Sequence, residues 1–164
     1  MRLAALSAAM ASVASVALLL GALVYLTDRD ASQALLIPDL GARSASRLFG
    51  ALGQWLPSFV HPLAFSLFTA ACLPAWAGPR YGACAAWGAV NIAFEIGQHP
   101  QLRALWADAL RAGEAPAAWI QALARYFARG TFDHGDIVAA VLGALAAAAV
   151  LRILCKERKC NHGP

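Results

Sequence analysis

The stretch "LAALSAAMASVASVALLLGALVYL", residues 3–26, runs without a single charged side chain. A helix that crosses a bilayer needs about 20 mainly apolar residues, so this stretch predicts a transmembrane helix. Its place near the start of the chain also fits a secretory signal. However, the apolar core of such a signal is only about 7–15 residues long. We therefore expect an uncleaved membrane anchor.

Further along the chain, three other segments are also mainly apolar. The segment 81–97 is shorter than the rest and carries Asn91 and Glu95. We predict an all-α integral membrane bundle that forms a single domain over residues 1–164. Small residues spaced by four in the last segment favour close helix packing in lipid. The four predicted spans are residues 3–26, 58–77, 81–97 and 137–155, followed by a basic tail at 156–164.

The composition supports a bilayer environment. Hydrophobic residues make up 60% of the chain and charged residues 13%, and the mean hydropathy is +0.59. Soluble domains are close to half apolar and a quarter charged. The net charge of +4 is not spread as a stripe that would bind nucleic acid, because four of the thirteen Lys and Arg residues lie in the last thirteen positions. We therefore predict the lipid bilayer, and no nucleic acid, as a partner.

The charges and cysteines favour one orientation. The basic residues around "RILCKERKC", residues 152–160, directly follow an apolar segment, as they do on the cytoplasmic flank of membrane helices. With both termini on that side, all four cysteines lie toward the reducing compartment and need no disulfides. We predict a multi-pass protein of the bacterial cytoplasmic (inner) membrane with both termini in the cytoplasm.

The two outer loops are amphipathic. Apolar residues recur at helical spacing in "SASRLFGALGQWLPSF" (44–59), "PQLRALWADALRA" (100–112) and "PAAWIQALARYFA" (116–128), and each stretch contains a Trp. Amphipathic helices with Trp at the apolar edge lie in the membrane interface. These stretches predict short interfacial helices.

Polar side chains gather toward the outer ends of the third and fourth predicted spans. Those of the third span follow one another at helical spacing and share one face. The polar side chains of the fourth span lie at its outer end. This side of the membrane is where we expect a ligand site. The candidate residues are Asn91, Glu95, Gln98, His99, Arg129, Asp133, His134 and Asp136.

Each candidate also has a structural interpretation. Asp136 is placed to cap the fourth span, and Asp133 to form an Asx turn with Gly135. Of the two, we expect Asp136 to be the cap and Asp133 to be the carboxylate with another purpose. Glu95 could pair with Arg129, since an unpaired carboxylate in a membrane helix costs up to a few kcal/mol. His61 is more typical of a packed interfacial histidine than of a ligand.

Glu95, His99, Asp133 and Asp136 could form a site for a hard cation or zinc, or an acid/base pair. The spacing of Glu95, Gln98 and His99 lacks the two histidines of H-E-x-x-H, and no nucleophile or phosphate-binding motif occurs. The spacing of Cys155, Cys160 and His162 matches no standard zinc pattern. We predict no cofactor and no metal.

Two short motifs resemble the VanZ-like family of small bacterial membrane proteins. In that family E-x-x-Q ends one span, and D-x-x-x-N-x-x-G opens the next. Glu95 and Gln98 match the first motif, and Asp136 and Gly143 match the second, while the family's asparagine is replaced by Ala140. The resemblance implies a cell-envelope protein, linked through the family's namesake to glycopeptide antibiotic resistance. It implies no known catalytic activity.

Three functions remain open, beside that of a purely structural partner subunit. The first is a protein without enzymatic activity that binds a headgroup, glycan or peptidic ligand, such as a lipid-linked or glycopeptide molecule, in an outer-leaflet cleft. The second is a membrane-embedded hydrolase or transferase, with Glu95 or Asp133 as base and His99 or His134 as proton shuttle. The third is a small transporter or proton relay, for which four spans are few.

Overall fold

The computed structural model of the chain describes residues 2–28, 48–74, 76–112 and 117–160. Within these residues the secondary structure consists of α-helices, in agreement with the predicted fold class, and contains no strand. The helices are α1 (Arg2–Thr27), α2 (Leu52–Cys72), α3 (Ala77–Gly97), α4 (Pro100–Ala112), α5 (Ala118–Arg129) and α6 (His134–Cys160).

Helix α1 has one buried face and one exposed face. The buried side chains recur every three or four residues, which places them on one stripe of the helix. The opposite face exposes large apolar side chains such as Val16 and Leu19, about two thirds of whose surface is accessible. An apolar surface of this kind suits lipid rather than water. The buried stripe consists of Leu6, Met10, Ala14, Ala17, Gly21 and Val24.

Helix α2 is the centre of the bundle, since it packs against α1, α3 and α6. It is antiparallel to α1: the Ser7 hydroxyl near the start of α1 donates to the Ala71 carbonyl near the end of α2. At the opposite end of this pair, the Asp28 carboxylate accepts the backbone N–H groups of Leu48 and Phe49, both at 2.9 Å. These two contacts hold α1 and α2 together at both ends.

The remaining helices complete the bundle. Helix α3 packs against α2 and α6, and α4 packs against α5 as a separate pair beside the bundle. Contacts between the first turns of α2 and α6 show that these two helices run parallel. Consequently α1 begins and α6 ends at the same end of the bundle.

Small residues allow α6 to approach its neighbours closely. Gly143 of α6 is buried, and a Cβ atom added there would collide with the Phe59 carbonyl oxygen of α2. On the other side of α6, Ala144 lies so near Gly88 of α3 that an added Cβ would be 3.0 Å from its methyl group. The small residues of the last segment therefore serve packing, as predicted.

The structure corrects the number of predicted spans. Among the described residues, three helical segments are long and apolar enough to cross a bilayer, whereas four were expected. They are Ala4–Thr27, Leu52–Cys72 and His134–Cys155. These three indicate a bilayer environment. Helix α3 has 21 residues and is long enough, but it carries Arg80, Asn91 and Glu95 among many small residues. Its length therefore suits a span, and its composition does not.

The predicted boundaries also shift. Residues 52–59, expected within an interfacial helix, instead form the first two turns of α2, while 44–47 lie outside the described residues. The other two stretches predicted to be interfacial helices are helical, as α4 and α5. Helix α6 begins at His134, before the expected start at Ile137, and continues to Cys160 through most of the predicted basic tail. Residues 161–164 lie outside the described part of the chain.

The contact at Gly143 generates a stability prediction. Gly143→Ala should lower the free energy of unfolding by about 1–3 kcal/mol, because a backbone carbonyl cannot move aside cheaply. The matched control is Gly82→Ala, since a Cβ at Gly82 meets nothing within 4 Å. That change should be neutral or stabilise the helix by up to about 1 kcal/mol. Unfolding in one detergent measures both, and equal effects would contradict the close contact.

Candidate functional site

The candidate site lies where the start of α2, the end of α3 and the start of α6 meet. Glu95 stands in the last turn of α3, and only 8% of its surface is exposed. Its Oε1 atom accepts the backbone N–H of Asp133 at 2.6 Å. This bond joins the end of α3 to the residue that precedes α6. The bulk of Glu95 is therefore enclosed between helices rather than extended to the membrane surface.

Asp133 combines two structural roles. Its Oδ1 atom accepts the backbone N–H of Gly135 at 2.8 Å, which satisfies a donor in the first turn of α6 as an N-cap residue does. Its Oδ2 atom accepts the indole N–H of Trp55 on α2 at 3.0 Å. Gly135 allows this approach, because a Cβ there would collide with the Trp55 ring.

The same contacts determine the ionisation of Asp133. The hydrogen bonds from the Gly135 N–H and then the Trp55 indole lower the pKa of the Asp133 carboxyl below its ordinary value of 3.8. Partial burial opposes this shift, and the nearby His134 adds to it. Asp133 is therefore an ionised hydrogen-bond acceptor at neutral pH and a weak base.

Asp136 links α6 to α2. It lies in the first turn of α6, and its Oδ1 atom accepts the Ser58 hydroxyl at 2.6 Å. The capping hydrogen bond expected of Asp136 is thus made by Asp133, and both aspartates contact α2. Helix α6 starts at His134 rather than at the expected Ile137. The position that caps the helix is therefore residue 133 rather than residue 136.

Gln98 connects the bundle to the α4–α5 pair. Its side-chain N–H groups lie 3.4 Å from the Tyr126 hydroxyl of α5 and 3.4 Å from the Phe94 carbonyl. Arg103 of α4 donates to the Gly130 carbonyl at 3.4 Å. The loop that follows α5 is therefore fastened beside the last turn of α3.

Aromatic rings border the acidic residues. The Phe132 ring makes edge contacts with His99 on one side, at 5.1 Å between ring centroids, and with His134 on the other, at 4.7 Å. His99 is half-buried and His134 is exposed. The rings of His99, Phe132 and His134 together form an aromatic border. The two histidine rings add polar nitrogen atoms to it.

Three other residues singled out from the sequence lie apart from this centre. Asn91 donates to the Trp87 carbonyl of its own helix, one turn before Glu95. Arg129 is exposed in the last turn of α5, where a cation complements the helix dipole. His61 stacks on Phe65 within α2. The centre therefore consists of Glu95, Asp133 and Asp136, with Gln98, His99 and His134 around it.

Sequence reasoning missed Trp55 and Ser58, the α2 partners of the two aspartates. A signal was present in their spacing. Trp55 and Ser58 are three residues apart on one face of α2, and Asp133 and Asp136 are three residues apart at the start of α6. Two parallel helices with polar residues at equal spacing can pair both at once.

These contacts define what the site can do chemically. Within residues 2–28, 48–74, 76–112 and 117–160, no three His, Cys, Asp or Glu side chains are arranged to hold a metal ion. Asp133 accepts two hydrogen bonds, while an ionised carboxylate has about four acceptor positions. The site is thus rich in acceptors that suit N–H and O–H donors.

Comparison with protein-family models, with curated proteins and with solved structures finds no match to this chain.

The capping role of Asp133 predicts a measurable loss of stability. Asp133→Ala removes the acceptor for Gly135 and for Trp55, and it should lower the free energy of unfolding by about 1–2 kcal/mol. The matched control is Asp108→Ala, which removes an exposed carboxylate paired with Arg111 one turn along α4. That change should cost only about 0.3–0.5 kcal/mol. Denaturation in detergent compares the two, and a larger effect at Asp108 would contradict the assignment.

The lowered pKa of Asp133 predicts a pH effect. A carboxyl group whose pKa is lower in the folded state stabilises the fold at pH values above its unfolded pKa. This contribution is lost as the pH falls below about 3.8 and through the folded pKa. Unfolding measured from pH 6 to about 2.5 should show the loss in the natural chain. Asp133→Asn should flatten that part of the curve, and an unchanged curve would show that Asp133 does not cause it.

Proposed function

We propose that this chain is a VanZ-like membrane protein of the bacterial cell envelope, without enzymatic activity, that binds a headgroup, glycan or peptidic ligand. The binding site is the cleft around Glu95, Gln98, His99, Asp133, His134 and Asp136. The observation that carries the proposal is the enclosure of Glu95. A carboxylate that is 8% exposed in a bundle of apolar helices is costly, and residues of this kind mark functional sites in membrane proteins.

The site chemistry favours a ligand that donates hydrogen bonds. Three carboxylates meet at one end of the bundle, bordered by the rings of Phe132, His99 and His134. Ammonium groups of headgroups or peptides and hydroxyl groups of glycans are such donors. A charge-assisted hydrogen bond is roughly twice as strong as a neutral one, so an ammonium group gains most from this site.

The lowered pKa of Asp133 favours a binding role over acid/base catalysis. A general base works best when its pKa is near the operating pH. The pKa of Asp133 is instead lowered by its bonds to Gly135 and Trp55. The membrane-embedded hydrolase or transferase acting on a lipid-linked substrate is thereby the weaker proposal, and it would depend on Glu95 as the base.

The orientation of the site is part of the proposal. With both termini in the cytoplasm, the end of the bundle that contains Glu95 faces the outer leaflet of the inner membrane. The site end is opposite the start of α1 and the end of α6, which is consistent with this arrangement. A cleft in this position is open to envelope molecules and fits the association of the resembled family with glycopeptide resistance.

Substitution of Glu95 tests the proposal. Glu95→Gln keeps an oxygen that accepts the Asp133 N–H but removes the charge, so the fold should survive. If the site binds an ammonium group, affinity should fall by about tenfold, as expected for a loss of about 1.4 kcal/mol. Glu95→Ala should abolish binding. The probes are phosphatidylethanolamine vesicles and a muramyl peptide that carries a free amino group, titrated against the purified protein.

An exposed carboxylate on α4 provides the control. Asp108→Asn on the exposed side of α4 should leave binding of both probes unchanged. Unchanged binding in Glu95→Ala would refute the site. If the natural protein hydrolyses or transfers a group from a lipid-linked substrate, and Glu95→Gln abolishes that turnover, the enzymatic alternative replaces the proposal. Susceptibility of producing cells to a glycopeptide antibiotic tests the link to resistance.

A further inference from the structure

At the opposite end of the bundle lies a cation that the proposed function does not use. Arg80, in the second turn of α3, is only 4% exposed. Its Nη2 group donates to the Leu73 carbonyl at 3.3 Å. Its Nε and Nη1 groups are buried and have no hydrogen-bond partner among the residues that the structure describes. A buried guanidinium group with unused donors is costly unless an anion completes it.

The first turn of α3 adds further donors beside this side chain. A helix N-terminus presents unpaired N–H groups and a partial positive charge, and it attracts anions. Pro79 in this turn has no N–H, so the backbone donors are those of Ala77, Gly78 and Arg80. The residue before α3 is Trp76, whose side chain makes no capping hydrogen bond. Side chains on a helix point back toward its N-terminus, so the Arg80 side chain runs along this first turn. Its bond to Leu73, which precedes the helix, agrees with that direction.

There is room for a ligand at this turn. Residues 77–79 are exposed, and a Cβ atom added at Gly78 would meet nothing within 4 Å. The Nε and Nη1 atoms of Arg80 are covered by protein, so binding of an anion at this turn requires rotation about the terminal bonds of the side chain. Arginine matches phosphate with paired N–H groups in a fixed fork.

The surroundings place this turn at the membrane surface. Trp76 is 73% exposed and Tyr81 is 40% exposed. Trp and Tyr are enriched at the level of lipid headgroups, where one part of the ring is in lipid and another in water. The apolar helix α2 ends at Cys72, four positions before Trp76. An anion bound here therefore lies at the depth of the lipid phosphates.

We propose that Arg80 and the first turn of α3 form a phosphate-binding site for an anionic lipid at the end of the bundle opposite Glu95. The recognised chemistry is a phosphate group, which is shared by a lipid headgroup and by free inorganic phosphate. The site is independent of the ligand cleft at the other end. Its occupation would complete the hydrogen bonds of Arg80 and hold the start of α3 against the bundle.

The test compares three probes with the full-length protein in detergent. They are phosphatidylglycerol, diacylglycerol with the same chains but no phosphate, and inorganic phosphate. Native mass spectrometry and the shift in thermal unfolding report binding. We expect phosphatidylglycerol to bind at least tenfold more tightly than diacylglycerol. Inorganic phosphate that binds as tightly as the lipid would identify free phosphate as the source. Equal binding of the two lipids would overturn the proposal.

Substitutions locate the site. Arg80→Gln should weaken phosphatidylglycerol binding at least tenfold, and Arg80→Lys should weaken it less, because the charge remains while the paired N–H geometry is lost. The matched control is Arg152→Gln, which removes an exposed arginine near the end of α6 and should change binding less than twofold. Unchanged binding in Arg80→Gln, or an equal loss in Arg152→Gln, would overturn the proposal.

A second pair of variants avoids the core. Gly78→Asp places a negative charge at the exposed first turn, where acidic residues stabilise a helix, so the variant should fold. It should reduce phosphatidylglycerol binding at least tenfold by repulsion. Gly78→Asn has the same size without the charge and should bind nearly as well as the natural chain. Equal binding by the two variants would show that the phosphate does not lie at this turn.

Discussion

The structure depends on how the first turn of α6 satisfies its backbone N–H groups. These groups have no intrahelical partner and must find other acceptors. Asp133 accepts from one of them and, with its second oxygen, from Trp55 of α2. Glu95 of α3 then accepts the N–H of Asp133 itself. One capping residue therefore joins three helices at a common point, where Glu95, Asp133 and Asp136 gather.

This origin explains why the same carboxylates serve both structure and the proposed binding. An apolar end of the bundle could not satisfy the start of α6, so acceptors were required there. Once Glu95, Asp133 and Asp136 are assembled, this end of the bundle contains a group of acceptors, and the Asp133 carboxylate retains acceptor capacity beyond its two hydrogen bonds. A ligand that donates hydrogen bonds adds to a group of acceptors that the fold already needs.

The general fold and the location of the candidate site could be predicted from the sequence, but the contacts could not. Apolar length alone identified α1, α2 and α6, because lipid demands about 20 apolar residues from any span. Apolar length also predicted α3 as a span, but this helix carries polar residues that packing against α2 and α6 shelters. The identity of the capping residue depended on where α6 begins, because a shift of three residues moves the capping position from Asp136 to Asp133. Trp55 and Ser58 are far from the aspartates in sequence, so only tertiary structure identifies them as partners.

The pairing of α1 with α2 has a consequence for biogenesis. Helix α1 packs chiefly against α2, and the pair is fastened at one end by Ser7 and at the other by Asp28. All these contacts are complete once residues 1–72 have been synthesised. The first two helices can therefore enter the bilayer as a finished hairpin during translation. The rest of α2 is then the surface on which α3 and α6 pack.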